Sequence, residues 1–242
     1  MEKKVLLFFV VIIVLIIAIN ITVFILTKEN FNDFISSPIQ GNCTPLIENN
    51  GENKIDIVFL TENLDKQKIQ EYIDFFLSSE PFNKHPEKFN FYYSNYNAEC
   101  ELVKDTALYC YSKSLIRNSA TCPNDYIIVL ADRPSKIRSS AYLNLISLNI
   151  NHNKNVVLHE FGHIFAKLAD EYVPSKIPRG AENCAKECED FNQYDSLEGC
   201  YEGCSKSDYF RSSENSVMRT LNSKDYGNLN LKILNENLEE YE

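Results

Sequence analysis

The feature that most limits how this chain can fold is an apolar run at residues 5–26, which only Asn20 and Thr22 interrupt. Roughly twenty such residues, at a helical rise of about 1.5 Å each, span a bilayer core of about 30 Å. A cleaved signal peptide is the competing interpretation, but its apolar region usually covers about 7–15 residues and ends at a small-residue cleavage site, which we do not find here. The sequence therefore predicts a cytoplasmic start and a transmembrane anchor over residues 1–28.

The charges that flank this run predict its orientation. Lys3 and Lys4 precede it, whereas Lys28 on the far side is followed directly by Glu29. Positively charged residues favour the cytoplasmic side of a membrane helix. We therefore expect a single-pass protein of the cell membrane, with its N-terminus in the cytoplasm and all later residues outside the cell.

The eight cysteines all follow the predicted anchor, which agrees with this orientation because disulfides persist outside the cytoplasm. The last four form two pairs with the same internal spacing: Cys184, Cys188, Cys200 and Cys204. They predict two disulfides that join a hairpin, with a structural zinc bound by four thiolates as the alternative. The first four predict two further bridges, whose connectivity the sequence does not choose: Cys43, Cys100, Cys110 and Cys122.

The charge balance bears on the class of partner. The formal net charge is -10, and the chain has no basic stripe. Nucleic-acid binding relies on clustered Lys and Arg side chains that neutralise phosphates. We therefore expect no nucleic-acid partner.

The order of apolar segments predicts one α/β domain at residues 54–242, after a polar stalk at residues 29–53. Short runs rich in β-branched and aromatic residues are the strand candidates: residues 54–60, 89–93, 126–130 and 141–148. The last of these alternates between apolar and polar residues, as a half-exposed edge strand does. Helical spacing is found at residues 64–77 and again from Asn228 onward. These elements predict a sheet of four or five strands with a long helix packed across it.

The long helix is predicted in the segment VVLHEFGHIFAKLADEY at residues 156–172, with Asn153 as its N-cap and Pro174 beyond its end. One face carries an apolar stripe that predicts burial: Val157, Phe161, Ile164, Phe165 and Leu168. Gly162 costs a helix about 1 kcal/mol relative to Ala. Its presence predicts that another backbone passes too close for a side chain.

The opposite face of this helix has the spacing of a metal site. Residues four apart lie one turn above each other, so His159 and His163 project to one side and can bind one metal ion. Glu160 is rotated by only about 100° from His159. That position suits a general base that takes a proton from a zinc-bound water, whose pKa the metal lowers to about 7. The alternative is an amphipathic helix that carries two histidines by chance.

A catalytic zinc ion needs a third protein ligand and an open position. Asp170 follows His163 by seven residues, and on a continued helix it would lie roughly 10 Å further along the axis. The helix must therefore end, and the chain must fold back. Asp170 is the predicted third ligand, and Glu171, with its longer side chain, is the alternative.

The segment HEFGHIFAKLADEY also closely resembles the signature of the metallopeptidase family named after a bacterial IgA peptidase. Three other stretches are similar to that family: KIDIVFL to its first strand, PFNKHPEKFNFYY to its Pro-Phe and Phe-Asn segment, and YFRSSENSVMR to its methionine-containing turn. The resemblance extends over residues 54–240, which is nearly all of the predicted outer domain.

The resemblance implies a metzincin-like zincin fold with one catalytic Zn²⁺. The ligands implied are His159, His163 and Asp170. Glu160 would be the general base, and Met218 would lie in a turn beneath the metal as an apolar support.

The chain departs from the family pattern at one position and leaves one role unassigned. Ala166 stands where related enzymes often have a glycine that lets the chain bend. A second stabiliser of the transition state has no clear counterpart, and the nearby polar candidates are Tyr172, Arg219 and Tyr226.

Together these observations predict a membrane-anchored, extracellular zinc metalloendopeptidase that hydrolyses a peptide or protein substrate through a zinc-activated water. Two alternatives use the same residues: a zincin-fold binding or adhesion module without hydrolysis, and a zinc amidase that acts on cell-wall material. Loss of the base or of a ligand would indicate the binding module, and neither is lost in this sequence.

Overall fold

The computed structural model describes residues 12–23, 39–194 and 198–241. The chain divides into two units, Met1–Ile39 and Gln40–Glu242. The second unit contains every strand of the described chain and all of the predicted site residues.

In the first unit, residues 12–23 form a helix, α1, that covers part of the predicted anchor. Its polar side chains, Asn20 and Thr22, donate hydrogen bonds of 2.7 and 2.9 Å to carbonyl groups one turn earlier in the same helix. Across the described ranges, no helix combines the length and the hydropathy needed to cross a membrane. The predicted run at residues 5–26 extends past α1 at both ends, into residues that lie outside the described part of the chain.

The strands of the second unit, in chain order, are β1 (Cys43–Ile47), β2 (Ile55–Thr61), β3 (Phe89–Asn97), β4 (Glu101–Val103), β5 (Ala107–Tyr109), β6 (Tyr126–Ala131), β7 (Ser140–Tyr142), β8 (Leu145–Asn149), β9 (Tyr201–Cys204) and β10 (Lys206–Arg211). Six of them form one mixed sheet in the order β1-β3-β2-β6-β8-β7. The four central strands are parallel, and the edge strands β1 and β7 are antiparallel to their neighbours. The predicted mixed α/β domain is confirmed, but its sheet has six strands rather than four or five.

Strand β1 lies inside the predicted stalk at residues 29–53. Residues 29–38 are outside the described part of the chain, and the compact unit already begins at Gln40. The strand lacks an apolar run because it is a half-buried edge strand, a place where Pro45 is tolerated. Its first residue is cross-linked by the Cys43–Cys122 disulfide. Residues 40–53 of the predicted stalk therefore belong to the compact unit, where β1 pairs with β3 and is cross-linked to Cys122.

The segment at residues 141–148, predicted as one edge strand, is a hairpin. Leu143 has a φ of 55° and lies between the two strands, so that β7 is the edge and β8 is the buried second strand. The polar Ser147 in β8 is 1 % exposed and accepts a hydrogen bond from the Cys110 N–H at 3.0 Å. Alternation in this segment therefore reflects a satisfied buried hydroxyl rather than a solvent-facing side.

Two layers cover the sheet, and alternate residues of β2 point into them. The helices are α2 (Gln67–Leu77), α3 (Lys113–Ser119), α4 (Asn155–Ala166) and α5 (Asn228–Leu238). Phe59 belongs to the core formed with α2, α4 and α5, whereas Val58 belongs to the core formed with α3 and β5. The helices predicted at residues 64–77 and from Asn228 onward are confirmed as α2 and α5. Phe161 of α4 lies in an aromatic cluster, with ring centroids 5.0 Å from Phe76 and 5.4 Å from Phe82.

Between α4 and α5 the chain is mostly irregular and is cross-linked twice. The Cys184–Cys204 and Cys188–Cys200 disulfides are nested, and they join this segment to strand β9 and the residue before it. A fourth disulfide, Cys100–Cys110, closes the β4–β5 hairpin. The predicted disulfides are confirmed. The structural zinc alternative is wrong, because all four of its thiols are consumed in disulfide bonds.

Candidate metal centre

Helix α4 is buried along most of its length, and this fixes the direction of its polar side chains. The N-cap residue is Lys154, without a side-chain cap hydrogen bond, and not the predicted Asn153; Asn153 lies one residue earlier, and its Oδ1 accepts the Asn155 N–H at 3.0 Å. His159 and Glu160 are 8 % and 7 % exposed. The four-residue spacing brings the rings of His159 and His163 to a centroid separation of 4.7 Å.

Gly162 allows the segment that follows α4 to pack against the helix. A β-carbon at this position would lie 2.9 Å from Met218 Sδ, 3.2 Å from Tyr226 Cε1 and 3.3 Å from Leu168 Cδ1. The predicted close approach is therefore real, but the neighbours are side chains and not another backbone. Gly162 thus makes room for the methionine that the family resemblance assigns to a turn under the metal.

The chain reverses at Lys167, directly after α4. Lys167 has φ 53° and ψ 26°, the left-handed conformation that usually favours glycine. The next N–H, of Leu168, donates back to the carbonyl of Gly162 at 3.1 Å and completes the helix end. No glycine is needed at position 166, because Ala166 is still helical. The left-handed lysine costs about 1–2 kcal/mol, and it brings Asp170 beside the histidines.

Three atoms that can bind a metal ion form a nearly equilateral triangle. Asp170 Oδ1 lies 3.1 Å from His159 Nε2 and 3.2 Å from His163 Nε2, and the two Nε2 atoms are 3.1 Å apart. The three side chains are only 10–20 % exposed. Within the described ranges, this is the one group of His, Cys, Asp and Glu side chains arranged to hold a metal ion.

The hydrogen bonds of the two imidazoles determine which nitrogen carries the proton. His159 Nδ1 lies 2.8 Å from the Val217 carbonyl, and His163 Nδ1 lies 2.6 Å from the Leu168 carbonyl. A carbonyl only accepts, so both Nδ1 atoms donate, and the Nε2 atoms of neutral rings turn lone pairs toward each other. With both rings neutral, Asp170 Oδ1 is buried without a hydrogen-bond donor, and a proton on either Nε2 atom would supply one. Three converging acceptors are stable only with a positive charge among them, either a proton or a metal ion.

The ionisation of the cluster follows from the same contacts. Burial opposes a charge on His163, but the hydrogen bond with Asp170 and the charge of Glu160 outweigh it and raise the pKa of His163 to about 9. Burial likewise opposes ionisation of Asp170, but hydrogen bonds with both imidazoles hold the pKa of Asp170 far below its ordinary value. The cluster therefore stabilises an anionic carboxylate beside one positive charge.

The dimensions of this triangle fit zinc. Zinc bonds to imidazole nitrogen and carboxylate oxygen are about 2.0–2.2 Å long, so two ligand atoms at tetrahedral corners lie about 3.3–3.5 Å apart. The observed edges are 3.1–3.2 Å. Two neutral imidazoles with their Nδ1–H groups bound to carbonyls are also the usual ligand arrangement around zinc. His159, His163 and Asp170 could thus hold one ion and leave a tetrahedral corner open.

Two serines that carry no signal in the sequence position Asp170. Ser175 Oγ donates to Asp170 Oδ2 at 2.5 Å, and Ser205 Oγ donates to the Asp170 carbonyl at 2.7 Å. The Ser175 N–H in turn donates to the Ser205 carbonyl at 2.7 Å. Oδ2 is therefore occupied, and Oδ1 faces the histidines. Ser205 follows Cys204, so the Cys184–Cys204 disulfide fixes one of the groups that hold Asp170.

Glu171, the alternative third ligand, points away from the cluster into a buried polar network. Its Oε2 accepts from Ser216 Oγ at 2.5 Å, and its Oε1 accepts from Asn230 Nδ2 at 2.8 Å and from Asn183 Nδ2 at 3.3 Å. Burial raises the pKa of Glu171, although these hydrogen bonds oppose the rise. Of the two neighbouring carboxylates, only Asp170 therefore reaches the histidines.

A tight turn next to α4 supports His159. The Val217 carbonyl accepts from His159 Nδ1, and the Met218 carbonyl accepts from the Glu171 N–H at 2.9 Å. The Arg219 N–H donates to the Ser216 carbonyl at 3.1 Å and closes the turn. Met218 is fully buried against Gly162. The turn therefore orients one imidazole and the carboxylate-bearing segment together. The role of Met218 as a support beneath a metal stays a prediction.

Glu160 lies at the wall of a cavity of about 230 Å³ beside the cluster. Among the described residues, none donates a hydrogen bond to its carboxylate. Burial raises the pKa of Glu160, while the charges of His159 and His163 oppose the rise. A carboxylate that is dehydrated and unpaired is ready to accept a proton, which suits the predicted general base.

The three polar candidates for a second stabiliser of the transition state lie in different environments. Tyr226 is fully buried and donates its hydroxyl to the Leu158 carbonyl at 2.5 Å, so it belongs to the core. Tyr172 and Arg219 both line the cavity, and the Tyr172 ring is 6.4 Å from the His159 ring and nearly parallel to it. The sequence did not point to Arg138, which lines the same cavity from the loop before β7.

A scan against protein-family models and a search of curated proteins found no match to this chain. The resemblance to the IgA peptidase family consequently stays a prediction that depends on the motifs quoted above.

Proposed function

We propose that the chain is a zinc-dependent metalloendopeptidase with a metzincin-like zincin fold. The observation that carries the proposal is the triangle of His159 Nε2, His163 Nε2 and Asp170 Oδ1, each turning a lone pair toward one point. The base predicted at Glu160 borders the same space. No other part of the described chain combines a metal-sized donor set with an unpaired acid.

Each of these residues has a defined task in the proposed reaction. When bound, zinc would polarise the scissile carbonyl and lower the pKa of a water molecule to about 7. His159, His163 and Asp170 hold the ion, and their own hydrogen bonds fix their direction. Glu160 accepts the proton of the attacking water and then passes it to the leaving amine. Burial supports the first transfer, because it favours the protonated carboxyl group that results.

Strand β7 supports a route for the substrate. It is the last strand of the sheet, and it packs beside α4. An extended peptide can pair with such an edge by main-chain hydrogen bonds. Ala141 lies in β7 and is the position at which a proline tests this pairing. In a folded Ala141→Pro variant, unchanged peptide turnover would contradict pairing along this edge.

The proposal includes an extracellular location with a membrane anchor. Four disulfides in the described chain support an oxidising compartment. The apolar run at residues 5–26 and the charges around it support attachment with the N-terminus in the cytoplasm. Labelling of the chain in intact cells by a membrane-impermeant reagent tests this orientation.

The function is tested with the full chain purified in mild detergent. We expect about one zinc ion per chain by elemental analysis and chelator-sensitive cleavage in a peptide library. Glu160→Gln should retain the zinc and lose at least about a thousandfold in turnover, whereas the matched control Glu99→Gln, at an exposed position, should behave as the unmodified chain.

The other outcomes separate the alternative functions. Stoichiometric zinc without cleavage of any peptide would favour a binding module. Release of amide-linked groups from cell-wall material, again absent in Glu160→Gln, would favour an amidase. A chain that binds no transition metal would remove the basis of the proposal.

A further inference from the structure

Two arginines line the cavity beside Glu160: the exposed Arg138, whose charge acts on Glu160 and Tyr172, and the half-buried Arg219. Arg138 and Arg219 both line it, and neither forms a hydrogen bond or ion pair through its guanidinium with any residue in the described ranges. Two other arginines are paired: Arg133 lies 2.6 Å from Glu62, and the buried Arg211 donates to the Gly203 carbonyl at 2.8 Å. In a chain with a net charge of -10, two guanidinium groups at one cavity form a local positive site.

The composition of the cavity wall favours an anion over a neutral group. Glu160 is the only acidic side chain among the residues that line it, whereas Arg138 and Arg219 contribute two positive charges. The remaining wall includes the apolar Val156 and Leu221 and the ring of Tyr172. Arginine binds carboxylates through two parallel N–H groups, which adds geometric selectivity to the attraction of opposite charges.

The size of the cavity limits what can enter. Its volume is about 230 Å³. Pockets that enclose a whole small molecule usually measure about 300–1,000 Å³. The space is therefore suited to one side chain or one chain end of a longer substrate.

The position of Glu160 determines which substrate residue enters. Glu160 must reach the leaving amine to protonate it, so the residue that contributes this amine lies on the Glu160 side of the cluster. The cavity shares Glu160 and His159 with the cluster and opens on that side. A side chain of the residue that follows the scissile bond is consequently the group that can extend toward Arg138 and Arg219.

We propose that this cavity binds a carboxylate, and that the chain cleaves peptides in which an acidic residue follows the scissile bond. The inference rests on the proposed peptidase function, and it makes Arg138 and Arg219 determinants of specificity. The carboxylate can come from an Asp or Glu side chain or from a free chain end directly after the scissile bond.

The test compares peptides that differ only in the residue after the scissile bond: Asp, Asn, Leu or Lys, all with amidated ends. A second set has Asn at that position and a free carboxyl end. With the full chain, kcat/KM for the Asp peptide should exceed that for the Asn peptide by about tenfold or more. A preference confined to the free-ended set would assign the cavity to chain ends.

Variants connect the preference with the two guanidinium groups. Arg138→Gln with Arg219→Gln should bring the Asp-to-Asn ratio close to one, and Arg138→Glu should shift the preference toward the Lys peptide. Arg138→Lys should restore part of the ratio. The control Lys136→Gln removes a positive charge at an exposed position of the same loop and should leave the ratio unchanged. An Asp-to-Asn ratio near one in the unmodified chain overturns the inference.

Binding measurements keep this inference separate from the proposed function. Fluorescence anisotropy of labelled Asp and Asn peptides on Glu160→Gln should show a dissociation constant about tenfold lower for the Asp peptide. If no peptide is cleaved but this difference is present, the peptidase proposal fails and the carboxylate site stands. Cleavage with equal affinities for both peptides would remove the carboxylate site and leave the peptidase proposal intact.

Discussion

The segments before and after the end of α4 contribute to the same cluster but are held together by different means. Residues 54–166 supply both histidines from a helix that packs by its apolar face on a sheet, with Phe161 among other aromatic rings. Residues 167–227 supply Asp170 from irregular backbone that two nested disulfides and buried polar side chains fix. Apolar packing thus fixes one side of the site, and specific polar bonds and cross-links fix the other.

The largest loss of stability is expected when a ring is removed from the aromatic core that contains Phe161. Phe161→Ala should lower the free energy of unfolding by about 3–5 kcal/mol, because the ring is fully buried and contacts other rings on several sides. Urea unfolding measures this change. Phe161→Leu should cost clearly less, and an equal cost for both variants would show that the aromatic cluster is not closely packed.

Removal of a disulfide should affect zinc binding only when the disulfide lies in the region that supplies Asp170. Cys184→Ala with Cys204→Ala is expected to cost about 2–5 kcal/mol and to weaken zinc binding at least about tenfold, since Ser205 and Asn183 flank this bridge and hold the Asp170 segment. Competition with a chromogenic chelator measures the zinc affinity.

The matched control is the Cys100–Cys110 bridge, whose hairpin contributes no candidate ligand. Cys100→Ala with Cys110→Ala opens the β4–β5 hairpin and should also lower stability, yet leave zinc affinity unchanged. If both pairs weakened zinc equally, the difference between the two regions would not hold.

The pH dependence of the zinc-free protein tests the junction of the two regions. The pKa of His163, raised to about 9 from an ordinary value of 6.5, means that its contribution to stability is complete below pH 6.5 and is lost as the pH rises to about 9. The loss should be about 3 kcal/mol in the presence of a chelator. The contribution of Asp170, whose pKa is lowered, is present above pH 3.8 and is lost on acidification.

His163→Ala should abolish most of the loss between pH 6.5 and 9, whereas His85→Ala should leave it in place. Chemical denaturation at a series of pH values measures both. A zinc-free chain whose stability is constant over this window would contradict a charged pair in the cluster. With zinc bound, the loss should disappear, because the metal takes the place of the proton.

The smallest change in stability is expected at Lys167, where the chain reverses after α4. Lys167→Gly should raise the free energy of unfolding by about 1 kcal/mol, because glycine adopts the left-handed conformation without strain. Lys167→Ala is the matched control and should bring no gain, since alanine retains the strained β-carbon. Thermal unfolding resolves a difference of this size.

The same division explains what the sequence could predict. His159, Glu160 and His163 were identified because one helical period fixes their relative directions before any tertiary contact forms. Strands β2, β3 and β6 were found because buried parallel strands carry continuous apolar runs. Asp170 was predicted as the third ligand with the neighbouring Glu171 as the alternative, and the two carboxylates differ in their tertiary contacts, which no local pattern marks.

Other features carried no local signal. Ser175, Ser205 and Asn183 act through contacts between loops that disulfides bring together, and no period along the chain marks them. In the sequence, Arg138 is one of several charged residues in a polar loop and has no feature that distinguishes it from them. Its cavity exists only when that loop, α4 and the turn around Arg219 are assembled.

The reversal at Lys167 confines all three candidate ligands to residues 159–170. These groups are close along the chain, so bringing them together closes only a short loop. The parallel pairing of β6 with β8 joins residues that are further apart in sequence, such as Ile127 and Leu145. We expect zinc to be captured while the sheet is still open, so that amides of α4 gain protection from hydrogen exchange before those of β8 when the reduced, unfolded chain is refolded with the metal.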